Sequence, residues 1–214
     1  MSKNKVKGPA ETVEAAERDK TPAPQPKALN QTAIDPMYIG RLAGTLLGIC
    51  LVTALLLGAV NQVTKPRIDA AQKAKTEAAM TQVLPADAYE KVDTEASGVT
   101  ALYRAVSGGS PAGFVAEVTA TGSQGAIDMV VGVDTSGAVT GVSVTKHSET
   151  KNIGTKVVSD QAVLDRFIGM SHANGDITVN AGTNRFDGVT GATVSSKGVT
   201  AGVNAALAAV QSYQ

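Results

Sequence analysis

Three hydropathy regimes follow one another along the chain. Residues 1–38 show no apolar period. Lys3, Lys5, Lys7, Arg18, Lys20 and Lys27 mix with Glu11, Glu14, Glu17, Asp19 and Asp35, and Pro22, Pro24 and Pro26 interrupt any helix. Such a stretch buries too little surface to offset its chain entropy, so a disordered tail is expected. The run LAGTLLGICLVTALLLGAVNQV, residues 42–63, then holds 22 positions without a charge. At 1.5 Å per residue this length crosses a hydrocarbon core of roughly 30 Å. With Arg41 at one edge and Lys65 and Arg67 at the other, a single transmembrane helix over 39–63 is expected. Lys20, Lys27 and Arg41 before the span nearly balance Lys65, Arg67, Lys73 and Lys75 after it, so charge assigns no orientation.

The third regime, 64–214, is long enough for one domain with its own core. Residues 64–83 are Ala-rich and helical in character, with Pro66 expected in the first turn of a new helix and Leu84-Pro85 ending it. Val- and Thr-rich stretches at 99–106, 113–120, 126–134 and 138–147 are expected as strands. The turns SGGSPAG and DTSGA separate two pairs of them, which implies an antiparallel meander. A helix is expected over 160–170, with Asp160 as its cap and Val163, Phe167 and Met170 on one face. A last helix over 195–213 aligns Val199, Val203, Leu207 and Val210 in one apolar stripe. The fold class is therefore α+β: one N-terminal transmembrane helix, then a twisted antiparallel sheet packed by helices.

Composition removes several functions. Lys plus Arg equals Asp plus Glu at 19 each, aromatics make up 3% and Trp is absent, so neither an electrostatic nor a stacking surface for nucleic acid is present. One Cys and two His leave no metal or iron–sulfur cluster pattern. The P-loop, the dinucleotide-binding glycine pattern and the serine-hydrolase elbow are all missing.

What stands out is FDGVTGATVSS, residues 186–196, which gathers hydroxyls and small residues at the entrance to the last helix. A helix start offers free N–H groups and the positive end of a dipole, a natural seat for phosphate. The plainer interpretation makes Thr193 or Ser195 a helix cap. The segment Asp187-Gly-Val-Thr190-Gly191-Ala192-Thr193 resembles the D-x-x-[ST]-G-A-T flavinylation motif of FMN-binding domains. That resemblance implies that a flavin transferase moves FMN from FAD onto Thr193 as a phosphoester, with Asp187, Thr190, Gly191 and Ala192 in support. HSETKNIGTKV, residues 147–157, is similar to the family's H-x-E-T-P-G-L-G segment, which lies along the flavin. His147, Glu149, Thr150 and Gly154 match, Ile153 replaces a leucine, and Lys151 and Asn152 stand where Pro and Gly are usual.

The layout over residues 39–214 resembles the G subunit of Rnf-type ion-translocating ferredoxin:NAD oxidoreductase complexes. The resemblance implies an electron carrier with covalent FMN and no catalytic residue or metal of its own. It also implies other membrane subunits as partners, and a bacterial cell membrane with the FMN domain on the extracytoplasmic side. Two other functions fit parts of the pattern. An anchored extracytoplasmic FMN reductase of another electron chain would turn over a diffusible acceptor. A non-redox anchored binding module would be colourless.

Overall fold

The computed structural model describes residues 36–213. The tail expected over 1–38 lies outside them as far as residue 35, while Pro36, Met37 and Tyr38 are already helical. Helix α1 (Pro36–Val83) runs 48 residues and is the one helix among the described residues long and apolar enough to cross a membrane. The expected break at Thr64 is absent: Pro66 sits inside the helix instead of opening a new one. A proline removes one backbone bond, and the strong helix formers that follow it, Ala70 to Ala79 among them, carry the helix on. Two compact units meet within α1, between Leu56 and Leu57, and the second contains every strand.

The frame of this second unit is a five-stranded antiparallel sheet with each strand beside its chain neighbour: β1 (Ala88–Val92), β2 (Val99–Ser107), β3 (Ser110–Thr121), β4 (Ala126–Asp134) and β5 (Val139–Lys146). The four sequence-predicted strands are β2 to β5. The fifth, β1, is a partly exposed edge strand.

Alternation sorts side chains onto two faces. Phe114, Ala116 and Val118 of β3, with Ile127, Met129, Val131 and Val133 of β4, join the main core. Val115 and Val130 point the other way, onto Ala79, Met80, Val83 and Leu84 at the end of α1. Because both faces are covered, β4 reads as a nearly unbroken apolar run. The paired glycines Gly132 and Gly141 let α1 close in. A Cβ on Gly132 would stand 2.7 Å from the Val83 carbonyl oxygen, which also accepts the Thr140 hydroxyl at 2.6 Å.

Four short helical pieces and a small sheet fill the span before the last helix: α2 (Thr155–Val158), α3 (Gln161–Leu164), two 3-10 turns over Asp165–Phe167 and His172–Asn174, and the parallel pair β6 (Thr178–Val179) and β7 (Arg185–Phe186). The helix expected over 160–170 is thus much shorter. Asp160 does cap it, accepting from the Ala162 N–H at 3.1 Å, and Val163 and Phe167 are buried. The helix tightens into the 3-10 turn after Leu164 and ends where Ile168 turns extended at ψ 130; Gly169 follows at φ 82 with its N–H bonded to Val139 O at the start of β5. Helix α4 (Thr193–Gln211) packs on the main core through Val199, Val203, Leu207 and Val210, the predicted stripe.

Candidate functional site

The loop leading into α4 is anchored before it reaches the hydroxyl cluster. Phe186 is buried and stacks on Phe167 with ring centroids 4.1 Å apart. Gly188 donates its N–H to Asn180 Oδ1 at 2.9 Å, and Arg166 donates to the Asp187 carbonyl at 2.9 Å. The chain then turns tightly: Ala192 N–H reaches Val189 O at 3.0 Å, with Gly191 at φ 82 in the position where such a turn favours glycine. Helix α4 starts there, and Ser196 N–H makes its first bond to Ala192 O at 2.9 Å.

Neither proposed cap residue caps. The cap position is Ala192, which has no side chain able to bond. Thr193 is the first helical residue and exposed, with no hydrogen-bond partner for its hydroxyl among the described residues. Ser195 is buried and turned inward, donating to Glu149 Oε2 at 2.6 Å. The first turn of α4 therefore keeps its free N–H groups and dipole end beside an uncommitted hydroxyl.

A cleft of about 280 Å³ opens at this point, lined by Ser123, Glu149, Thr150, Ile153, Gly154, Gly191, Ala192, Thr193, Val194 and Ser195. It joins the two motifs that the sequence shows some forty residues apart. Thr150 and Gly154 form one wall with Glu149, and Gly191, Ala192 and Thr193 form the other. The remaining expected residues, His147, Asp187 and Thr190, do not line the cleft. His147 accepts the Glu149 N–H on Nδ1 and meets the Ser159 hydroxyl through Nε2, both at 3.3 Å. Asp187 is exposed and held by Arg185 at 2.7 Å, and Thr190 is exposed.

Glu149 is the electrostatic centre. Burial pushes its carboxyl up, but the Ser195 hydroxyl, the Gln124 and Ser123 N–H groups and the nearby His147 outweigh this, and the group lies below the ordinary glutamate range. Sequence reasoning missed Ser123 and Gln124. They contribute backbone N–H groups at 2.7 and 3.3 Å, which any residue could supply; the only trace is the glycine-flanked turn Gly122–Gly125.

The departure at Lys151-Asn152 is milder than the sequence suggests. Asn152 adopts φ 64, the left-handed conformation that glycine takes freely and asparagine tolerates best among other residues. Its N–H also reaches Thr155 Oγ1 at 2.9 Å. The loop keeps a glycine-like backbone without glycine.

Comparison with known proteins agrees with this geometry. Residues 122–208 match the FMN-binding domain family, and residues 38–83 match the RnfG N-terminal region. The chain is thus a flavin-domain protein of the membrane-anchored kind. It is similar to the G subunits of Rnf-type ion-translocating oxidoreductases. It is 29% identical to the G subunit of the ion-translocating oxidoreductase complex of Methanosarcina acetivorans, over 81% of this chain and 95% of that protein. It is 28% identical to the G subunit of the Na(+)-translocating ferredoxin:NAD(+) oxidoreductase complex of Acetobacterium woodii, over 85% of this chain and 94% of that one. Among solved structures, the C subunit of the Na(+)-translocating NADH-quinone reductase from Parabacteroides distasonis superposes with a TM-score of 0.43 at 20% identity, covering 53% of this chain and 60% of that one.

Proposed function

We propose that this protein carries FMN as a phosphoester on Thr193 and relays electrons between membrane subunits of an Rnf-type ion-translocating ferredoxin:NAD oxidoreductase complex. The observation that carries this reading is the meeting of the 147–154 and 187–193 motifs in one cleft, with the Thr193 hydroxyl exposed and free of capping duty. The flavin supplies one- and two-electron transfer when bound, and the protein supplies its position and retention.

In the attachment step, the Thr193 oxygen bonds to the FMN-side phosphorus of FAD. The pyrophosphate link breaks, AMP leaves, and the hydroxyl proton passes to the flavin transferase. The resulting phosphate would meet the N–H groups of the first turn of α4. Gly191, whose φ favours glycine, and the small Ala192 leave the approach to Thr193 open. Asp187, Thr190, Gly191 and Ala192 serve as recognition or support residues, and Thr150 and Gly154 face the flavin. A covalent link suits a domain on the extracytoplasmic side, where lost FMN could not be replaced.

The test is in-gel flavin fluorescence of the denatured full-length protein, co-expressed with a flavin transferase, beside Thr193→Ala. A fluorescent wild-type band absent from the variant is expected. A dark wild-type band would remove the covalent-carrier reading.

A further inference from the structure

Glu149 is the one buried acidic side chain among the described residues. Both of its oxygens face protein donors. Oε1 takes the Ser123 and Gln124 N–H groups at 2.7 and 3.3 Å, and Oε2 takes the Ser195 hydroxyl at 2.6 Å. Two glycines make room for it, one beside each oxygen. A Cβ on Gly122 would lie 2.2 Å from Oε1, and one on Gly154 would lie 2.2 Å from Oε2. The pocket is shaped around a carboxylate.

The segments this group ties together are the Gly122–Gly125 turn, the loop entering α2 and the first turn of α4. The same three supply Ser123, the Thr150–Gly154 wall and the Thr193–Ser195 wall of the cleft. Ser195 and Thr193 lie in one helical turn, so fixing the first inward fixes where the second emerges. Charge-assisted bonds are short and directional, which makes this tie stiffer than one between neutral groups.

We infer that Glu149 is a positioning residue, an inference that rests on the flavin reading. It clamps the three segments that line the cleft through Ser195 and the Ser123 and Gln124 amides, and so presents the Thr193 hydroxyl for modification. Glu149→Gln removes the clamp at nearly constant shape. Its single side-chain oxygen can serve either the Ser195 hydroxyl or the two amides, and its NH₂ then faces donors on the other side. Ser195→Ala removes one strand of the tie and leaves the charge on its two amides.

The experiment uses full-length protein in detergent, made without transferase, then incubated with purified transferase and FAD. Attachment is followed as fluorescence on denaturing gels. The initial rate is expected to fall at least tenfold in Glu149→Gln and by a smaller factor in Ser195→Ala. Both variants should reach the wild-type extent of labelling on long incubation, so that rate and not capacity is lost. A wild-type attachment rate in folded Glu149→Gln would overturn the inference. A wild-type initial rate with a reduced final extent would overturn it too, because a positioning role acts on the rate. Should Glu149→Gln fail to fold, Ser195→Ala decides on the same criteria. Unlabelled wild-type protein would sink the flavin reading itself, a distinguishable result.

Discussion

Replacing Gly154 with alanine tests the carboxylate pocket by space alone. Gly154 has φ −64, an ordinary helical value, so its backbone does not require glycine. The added methyl carbon would stand 2.2 Å from Glu149 Oε2, 2.8 Å from Glu149 Cβ and 2.9 Å from Ser195 Oγ. Rotating the carboxylate relieves only the first contact, because the Cβ is fixed to the backbone, so the loop entering α2 must shift as well. Overcrowding a packed interior costs about 1–3 kcal/mol. The displaced carboxylate also gives up the Ser195 bond, about 1.5–3 kcal/mol for a hydrogen bond to a charged group. Together these come to about 4 kcal/mol. For a domain of this size that lowers the unfolding midpoint by roughly 8–16 °C. Scanning calorimetry of the detergent-solubilised full-length protein reads the shift directly. Ser195→Ala, which forfeits only the hydrogen bond, should fall about half as far. A Gly154→Ala midpoint within roughly 2 °C of wild type, less than about 1 kcal/mol on the same scale, would refute the packing argument.

Acid should expose the same group. A carboxyl held below its ordinary range adds stability that is fully present above the unfolded-state pKa and is lost as pH falls through the lowered folded value. The wild-type midpoint should therefore drop more steeply than that of Glu149→Gln from the ordinary glutamate range downward, and parallel curves would count against the clamp. At the left-handed position of the same loop, Asn152→Ala should cost about 1 kcal/mol and Asn152→Gly only a few tenths, measured by denaturant unfolding. Equal losses in the two variants would show that the conformation is not what asparagine provides.

The strands were legible because turns punctuate them and their outer faces alternate, and β4 stood out as an apolar run because helices cover both of its faces. Strand β1 was not legible: Tyr89, Glu90 and Lys91 form a polar edge whose pairing is a backbone matter. Local rules also misjudged Pro66, where the helix-forming residues around it outweighed one missing bond. At the site, side-chain chemistry left a trace in the sequence and backbone chemistry did not. Thr193, Gly191 and Glu149 are identifiable through the motifs they share with FMN-binding domains. The Ser123 and Gln124 amides are not, and Ser195 resembles a cap until its partner 46 residues away is known.

The neighbour-by-neighbour order of the sheet bears on when the site comes into being. Each strand pairs only with the next in the chain, so hairpins can zip in sequence as the polypeptide emerges. The cleft has no such local route, because its second wall belongs to α4, which follows every strand and must dock across the finished sheet. Thr193 acquires its setting only at that step. On the proposed reading, attached flavin is a time stamp: it marks molecules whose folding has run to completion and passes over those stalled with the last helix undocked.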